Sequence, residues 1–532
     1  MKDPLHDNLI KFIRQAVEAA PKNECELSQF KKKYARKEGG GISSNVQLLN
    51  VYRELIEKGE IKENQTLTAL LRKRKIRSLA GVAVITVLTK PYYCPGHCTF
   101  CPSEKGMPKS YLSNEPGAMR AVLNDFDAAR QVKTRLKSLE SQGHPVDKIE
   151  LIVLGGTFAA YPKTYQSNFI RQLYNTLNGA KDRTLALAQK RNETAKHRCV
   201  ALSLETRADT ITPKELQRYR KLGCTKLQIG IQALDDKILK RVKRGETVEQ
   251  GKQALQLIRD AGFKFSVHMM PNLPGSTPEK DFQMMKQLFE DPAYKPDFLK
   301  LYPCTVVPYS ELEKEWRKGE YQPYDKKTLS KLLLRMKTVM PEYVRIDRLV
   351  RDIPGDSILA GNVVTNLRQL LQEEGELKGN WPCRCIRCRE IRTAEVNPKN
   401  IVYKEQSFDA AGGKEFFLTY EDKKQDKILS LLRLRFPSQL FTHKKHFIPE
   451  LEDSAIVREI HTYGFQVGIG ERQDKATQHL GLGHQLLEKA EAITKKAGFR
   501  RLAVIASIGT REYYRKWGYR LQGTYMLKKY PL

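Results

Sequence analysis

The sequence predicts an α/β chain built on a partial or complete (β/α) barrel, with an N-terminal helical region before it and a C-terminal α+β domain after it. Three observations carry that prediction. From about residue 79 onward, at least six short and nearly continuous apolar runs alternate with helix-length amphipathic stretches, the pattern of parallel strands covered on both faces. Ahead of them, apolar residues recur at helical spacing: Leu9, Ile10, Phe12, Ile13 and Val17, then Val46, Leu48, Leu49, Val51, Tyr52, Leu55 and Ile56. Beyond about residue 400 the pattern changes again, with a strand-like run, Leu502 to Ala506, near the end. A chain of 532 residues has room for about two to four domains. The expected divisions are 1–75 (basic helical region), 76–375 (barrel), 376–399 (cysteine-rich, metal-binding linker) and 400–532 (α+β domain).

In the barrel region the strand candidates, in order, are 82–88, 149–154, 200–204, 226–231, 263–267 and 298–302. In a (β/α) barrel the chemistry gathers at the C-terminal ends of the strands. That singles out Cys94, Gly155, Glu205, Gln232, Met270 and Tyr302, which lie at or just past these runs.

Lys and Arg number 93 against 61 Asp and Glu, a formal charge of +32. Such an excess argues for a polyanionic partner, whose counterions the positive surface releases; the plain alternative is solubility alone. No apolar run approaches the ~20 residues that a bilayer demands, and the first residues carry no signal-peptide core. The expected compartment is therefore the cytosol, with no membrane partner. The ten cysteines should be reduced there, and where they cluster they should hold metal rather than form disulfides.

Cys94-Pro95-Gly96-His97-Cys98-Thr99-Phe100-Cys101 sets three thiols at spacing CxxxCxxC on the loop after the first strand. Three sulfurs on one tight loop can ligate three irons of a 4Fe-4S cluster and leave the fourth open to a chelating ligand. Radical S-adenosylmethionine enzymes use this arrangement, and a barrel of radical SAM type fits the series of βα units that follows. The competing reading is a zinc loop closed by His97. Gly155 and Gly156 resemble the glycine motif whose backbone meets the amino group of S-adenosylmethionine. Glu205, Arg207 and Gln232, also at strand ends, are further candidates for that cofactor, or else make ordinary polar contacts.

Gln478-His479-Leu480-Gly481-Leu482-Gly483 opens a helix-patterned stretch. Glycines at a helix N-terminus let backbone amides approach a phosphate that the helix dipole also favours. The pattern is that of the pyrophosphate loop of GNAT-type acetyltransferases. It follows a strand candidate, 457–462, and precedes Tyr513 and Tyr514 at the start of the last helix. In that order they predict acetyl-CoA binding.

Cys383, Cys385 and Cys388 form a second cluster, expected to hold a structural zinc ion that needs a fourth ligand. By exclusion Cys304 is the candidate, with His443 and His446 as alternatives; unligated thiols are the other reading. Basic runs at Lys31, Lys32 and Lys33 and at Arg72, Lys73, Arg74, Lys75 and Arg77 are candidates for RNA phosphate contacts. Lys240 to Arg244, Arg345, Arg348, Arg351, Arg384, Arg387 and Arg389 recur near the candidate site and could extend that surface; any one run is more often a solvated face, and the summed charge carries the argument.

Beyond the superfamily, the segments 98–102 (CTFCP), 115–121 (EPGAMRA), 154–158 (LGGTF), 205–207 (ETR), 268–274 (HMMPNLP), 351–354 (RDIP), 385–390 (CIRCRE) and 511–519 (REYYRKWGY) together resemble the Elongator catalytic subunit family. The resemblance runs from about 76 to 532 in unbroken order and is looser before that. It implies modification of the wobble uridine, position 34, in the anticodon loop of tRNA, with residues 1–75 binding the tRNA. A deoxyadenosyl radical would activate the methyl of acetyl-CoA for addition to uridine carbon 5, and thioester hydrolysis would leave 5-carboxymethyluridine. It further implies that Lys148, Glu459, Ile460, His461, Thr462, Leu482, Gly483, His484 and Tyr514 contact acetyl-CoA, with Tyr513 and Tyr514 as the catalytic candidates. An unidentified electron donor would supply the reducing electron. The short CxxxCxxC spacing and the extra cysteines at 383–388 depart from eukaryotic members and point to a bacterial or archaeal form acting without other Elongator subunits. The rival functions are a protein lysine acetyltransferase with a structural iron–sulfur cluster, another radical enzyme such as a methylthiotransferase, and an RNA-binding protein with degenerate sites.

Overall fold

The computed structural model describes residues 4–38, 44–71, 81–464 (save 378, 380 and 393) and 481–531. Four helices, Pro4–Ala19, Glu24–Glu38, Asn45–Glu57 and Gln65–Leu71, open the chain. Their apolar stripes close on a small core of their own that includes Phe12, Ile13, Leu48, Leu49, Tyr52 and Leu71. Ser44 and Gln47 form a reciprocal capping box at the start of the third helix, satisfying amides that a helix start leaves open.

Seven parallel strands follow: β1 (Ala83–Leu88), β2 (Lys148–Leu154), β3 (Arg198–Thr206), β4 (Lys226–Gln232), β5 (Lys264–Met269), β6 (Phe298–Leu301) and β7 (Arg345–Arg348). They lie side by side in sequence order, and β7 does not return to pair with β1, so the barrel is partial. The intervening helices begin at side-chain caps: Asp127, Thr212, Thr247, Thr277 and Asp325 each accept from the backbone amide three residues on. The strand interiors are fully covered, with Ile85, Leu151, Leu204, Leu227, Val267 and Leu299 all at 0% exposure. β7 is the strand that periodicity does not reveal. Its sequence, Arg-Ile-Asp-Arg, has one apolar residue, because its other side chains face the polar interior of the half-barrel.

The second sheet holds β8 (Ile401–Ala410), β9 (Gly413–Asp422), β10 (Lys427–Phe436), β11 (Ser454–Thr462), β12 (Arg501–Val504), β13 (Arg520–Gln522) and β14 (Tyr525–Lys529), in spatial order β13-β14-β12-β11-β10-β9-β8. β11 and β12 pair in parallel and the other neighbours are antiparallel. One face packs on the helix Leu482–Lys496 through Leu486, Leu487 and Ala490. From the other, Leu431, Ile456, Ala503 and Leu527 share one apolar core with the barrel.

Polar residues also join the two sheets. Arg458 of β11 donates to both oxygens of Asp297 (2.9 and 2.5 Å), just before β6, and to Glu415 of β9 (3.0 Å). Arg435 of β10 pairs with Asp260 (2.5 Å) and Glu415 (3.2 Å), and Arg433 pairs with Glu459 at 2.8 Å. All seven residues are below 10% exposure. Buried charges persist only when paired and hydrogen-bonded, so this network fixes how the second sheet meets the barrel.

Candidate functional site

The cysteine loop leaves β1 and folds over the C-terminal ends of the strands. It is pinned by backbone bonds from Thr99 N to Val242 O (3.1 Å) and from Leu312 N to Thr99 O (2.9 Å). Cys94 Sγ lies 3.3 Å from Thr157 Oγ1, and Cys98 Sγ accepts from Arg244 at 3.7 Å. The Cys101 thiol and then the Arg244 guanidinium hold Cys98 down to about 5 against the effect of burial. Cys101 is pushed up by its contact with the Cys98 sulfur and by burial. A thiol kept as thiolate beside a buried cation is prepared to ligate metal. His97, the residue that would close a zinc loop, is exposed at the surface.

Around that loop the strand ends supply the expected groups. Gly155 (φ +131°) and Gly156 (φ +89°) adopt backbone that a side chain disfavours, and a Cβ at Gly155 would collide with Thr89 Oγ1. Glu205 accepts from Tyr111 Oη at 2.7 Å and from the Gly156 amide at 3.4 Å. Arg207 pairs with Asp209 (2.8 Å) and Glu246 (3.1 Å). Gly96 of the cysteine loop passes so close to the Arg207 guanidinium that a Cβ there would strike it. Gln232 ends β4 at φ +72°. The buried Arg207 Nη1, Gln232 Oε1 and Arg244 Nε have no partner among the described residues. Unsatisfied polar atoms packed around three thiols fit a charged, polar cofactor in that place.

On the opposite wall, Glu459, Ile460, His461 and Thr462 end β11. Burial opposes the charge on Glu459, yet Lys264 and Arg433 hold its carboxyl below the ordinary range. The helix Leu482–Lys496 starts from Gly481 at φ +67°. A Cβ at Gly483 would lie 3.4 Å from Thr462 Oγ1, 3.6 Å from Tyr513 Oη and 3.7 Å from Ile460 Cγ2, so the strand end, the helix start and the last helix converge on one spot. His484 stacks on Trp517 with ring centroids 3.3 Å apart, and Tyr513 meets Tyr514 edge-on at 5.2 Å. Burial raises the Tyr514 hydroxyl and lowers the Lys148 ammonium. Leu482 turns into the apolar core instead. Gln478 lies outside the described residues.

The two walls enclose a single cavity of about 1450 Å³. Cys94, Cys98, Cys101, Gly156, Glu205, Arg207 and Gln232 line one end, and Lys148, Glu459 to Thr462, Gly481, Gly483, His484, Tyr513 and Tyr514 line the other.

The second cysteine cluster stands apart from it. Cys383, Cys385 and Cys388 place their sulfurs within 4.8 Å of one another, compatible with the ~3.8 Å separation that metal–sulfur bonds of about 2.3 Å give in a tetrahedron. Cys388 Sγ also accepts from Trp381 Nε1 (3.4 Å) and Arg368 (3.7 Å), and Cys383 Sγ from Lys337 (3.8 Å). Cys304 is not with them, which corrects the expectation of a fourth ligand there. The cysteine segment is tied to the start of β7 through Ile386 N to Val344 O, whereas Cys304 follows the far end of the parallel strand β6. There its backbone carbonyl accepts from Asn272 (3.1 Å) and burial pushes its thiol up to about 12. His446 is no substitute: its Nε2 lies 3.1 Å from Asp260 O and its Nδ1 accepts from Ile448 N.

Several arginines read as RNA contacts are committed elsewhere. Arg244 is 5% exposed beneath the cysteine loop, and Arg351 grips Glu115 (2.8 Å) and Ser110 (3.1 Å). Arg389 pairs with Glu421 at 2.5 Å, and Arg384 with Glu342 (2.8 Å) and Asp426 (2.9 Å). Lys31 is half-buried against Asn45, while Lys32 and Lys33 are exposed. Arg72, Lys73, Arg74, Lys75 and Arg77 lie outside the described residues. Sequence reasoning missed Tyr111, Gln228 and Lys300, which sit mid-strand or in a loop where no motif marks them, and gave no site role to His268, which opens the 268–274 segment; all four line the cavity.

A seven-stranded half-barrel with three cysteines on the loop after its first strand defines the radical SAM class. Residues 88–288 match the Radical SAM superfamily and 296–378 the Radical SAM C-terminal domain. The tRNA uridine(34) acetyltransferase of Methanocaldococcus infernus is 38% identical, covering 99% of this chain and 100% of that protein. That of Dehalococcoides mccartyi is 41% identical over 86% of this chain and 99% of its own length. Elongator complex protein 3 of Schizosaccharomyces pombe is 36% identical over 92% and 91%. The solved archaeal Elp3 of M. infernus lacking residues 1–46 superposes with a TM-score of 0.73 at 38% identity, covering 85% of this chain and 99% of that one. The chain therefore belongs to the Elongator complex protein 3 family. Radical SAM membership implies a 4Fe-4S cluster and S-adenosylmethionine, and the thiols and unpartnered atoms described above fit both. Among the described residues no helix is long and apolar enough to cross a membrane.

Proposed function

We propose that this chain modifies uridine 34 of tRNA, using S-adenosylmethionine and acetyl-CoA in one shared chamber to give 5-carboxymethyluridine. The observation that carries this reading is the single cavity, lined at one end by the cysteine loop and at the other by the β11 strand end and the Gly481–Gly483 turn. Cys94, Cys98 and Cys101 would ligate three irons, leaving the fourth position for S-adenosylmethionine, which Gly155, Gly156, Glu205, Arg207 and Gln232 would orient. Bound there, cluster and cofactor supply a carbon-centred radical by one-electron reductive cleavage, the electron coming from a separate donor.

Everything else falls to the protein's own groups. The helix start at Gly481 offers outward amides for a pyrophosphate, and Ile460, His461 and Thr462 present the β11 edge to an extended pantetheine arm. Tyr513 and Tyr514 sit where the thioester would end. Burial raises the Tyr514 hydroxyl further above its ordinary value, so it would serve the thioester as a hydrogen-bond donor. Lys148 would meet the coenzyme from the barrel side. The division into residues 1–75, 76–375, 376–399 and 400–532 assigns tRNA binding to the first part, with Lys31, Lys32, Lys33 and Arg72 to Arg77 as phosphate contacts. The Cys383, Cys385 and Cys388 triad would hold a structural zinc ion between barrel and second sheet. A cytoplasmic chain acting without other Elongator subunits completes the reading.

The test is anaerobic incubation of the reconstituted full chain with tRNA, S-adenosylmethionine and acetyl-CoA labelled in the methyl carbon, followed by nucleoside mass analysis. Label in the wobble nucleoside is the expected result. Label transferred to protein lysines instead, independent of S-adenosylmethionine, would establish the acetyltransferase alternative.

A further inference from the structure

Between the two ends of the cavity, the central strands present a band of polar side chains that neither end uses. Gln228 comes from β4, His268 from β5 and Lys300 from β6, and Tyr302 follows directly. The register pairs Gly230 with His268, and His268 with Lys300, so the band crosses adjacent strands. All four residues line the cavity. Lys300 donates to Gln228 Oε1, and Gln228 Nε2 donates to Ser203 Oγ at 2.9 Å. That chain fixes the ammonium in place and leaves two of its three donors unused, since the Gln228 bond is its only hydrogen bond among the described residues. Lys226 takes Asp347 at 3.0 Å, and Glu205 and Asp347 act on Lys300 only through space, so among the described residues no carboxylate forms a salt bridge with it. The Tyr302 hydroxyl has no hydrogen-bond partner among the described residues, and its ring meets His268 edge-on with centroids 5.4 Å apart.

A half-buried ammonium that lines the cavity with two donors to spare is placed to bond a carbonyl that arrives there. The geometry points to this band as the subsite for the target base, with Lys300 donating to the 4-carbonyl of uracil and Tyr302 completing the polar edge. The inference rests on the uridine reading above and deepens it. A base extruded from its stack is read by hydrogen bonds to its Watson–Crick edge and by contact with ring faces. Cytosine presents an amino donor where uracil presents O4. Against Lys300, which has only donors to offer, that amino group finds no acceptor, so the band would admit uridine and reject cytidine. Burial also pulls the Lys300 ammonium down to about 8, in keeping with a site completed by ligand.

The test uses the reconstituted full chain with three versions of one tRNA, carrying uridine, 4-thiouridine or cytidine at position 34. Wild-type protein and the variants Lys300→Met and Tyr302→Phe are compared by nucleoside modification and by deoxyadenosine formed without tRNA. The wild type should modify uridine about 10- to 100-fold faster than 4-thiouridine, whose sulfur accepts poorly, as one lost bond to a charged donor implies. It should leave cytidine unmodified. Lys300→Met should lose a similar factor on uridine, no longer distinguish uridine from 4-thiouridine, and keep deoxyadenosine formation within about threefold. Equal wild-type rates on uridine and 4-thiouridine would overturn the assignment, and so would Lys300→Met losing deoxyadenosine formation in step with modification. If the wild type modifies no uridine at all, both this assignment and the function above fail. If it does and Lys300→Met still discriminates as the wild type does, only the subsite fails.

Discussion

Replacing Asp297 by alanine should weaken the joint between the two sheets more than any comparable surface change. Asp297 is 2% exposed. It accepts two bonds from Arg458 (2.9 and 2.5 Å) and one from the Phe265 amide (3.1 Å), and stands 3.7 Å from Arg433. Its loss leaves the Arg458 guanidinium, at 0% exposure, with Glu415 and the Phe263 carbonyl alone. Removing one partner of a buried pair costs about 3–5 kcal/mol. With a urea slope of about 3 kcal/mol per molar, the unfolding midpoint should fall by about 1–1.7 M. Urea titration followed by tryptophan fluorescence reads this directly. The control is Asp297→Ala combined with Arg458→Met, which removes both charges and should recover at least half of the loss, because the penalty belongs to the stranded cation. A midpoint shift below about 0.3 M for Asp297→Ala, or a double variant as unstable as the summed singles, would refute the view that this pair holds the sheets together.

Gly155→Ala should lose about 1–3 kcal/mol from backbone strain at φ +131°, plus the cost of moving Thr89. Thermal unfolding and iron content after reconstitution should both drop, and an unchanged midpoint would show that the turn relaxes freely. The Lys300 ammonium, held down to about 8 by burial from an ordinary 10.5, binds its proton less readily folded than unfolded. Between about pH 8 and 10.5 the unfolded chain therefore carries the extra proton, and stability rises with pH across that window. Lys300→Met should flatten this slope in urea titrations at successive pH values, and a slope kept by the variant would remove Lys300 as its source. Elemental analysis of cluster-reconstituted protein should find about one zinc per chain, lost in a Cys385→Ser, Cys388→Ser double variant; zinc-free wild type would leave the triad as reduced thiols.

Much of the barrel was legible because its strands are buried on both faces. Runs such as Val82 to Leu88 need no partner to be recognised, and the CxxxCxxC spacing is local. β7 was not legible, since a strand whose side chains serve a polar interior has no apolar run. Arg244 was misread for a related reason. It stands in the basic stretch Lys240-Arg241-Val242-Lys243-Arg244, and nothing in that stretch distinguishes the residue under Cys98 from those at the surface. Cys304 was drawn to the wrong cluster because exclusion among cysteines ignores which end of a parallel sheet each one occupies. Lys300 and Gln228 carry no motif at all; their meaning lies in a register among three strands far apart in sequence.

Ser507 Oγ donates to the carbonyl of Cys199 at 2.8 Å, a bond spanning 308 residues, and Gly509 packs against the same stretch of β3 so closely that a Cβ would clash. The tyrosines at 513 and 514 are thus seated on a strand made more than half a chain earlier. During synthesis from the N-terminus, the half-barrel emerges with one side of its chamber still unbuilt, and contacts of such long range form late. Until residues 507–514 are made, the wall that carries these tyrosines is missing from the chamber. The cysteine loop at 94–101 is made some four hundred residues before that wall.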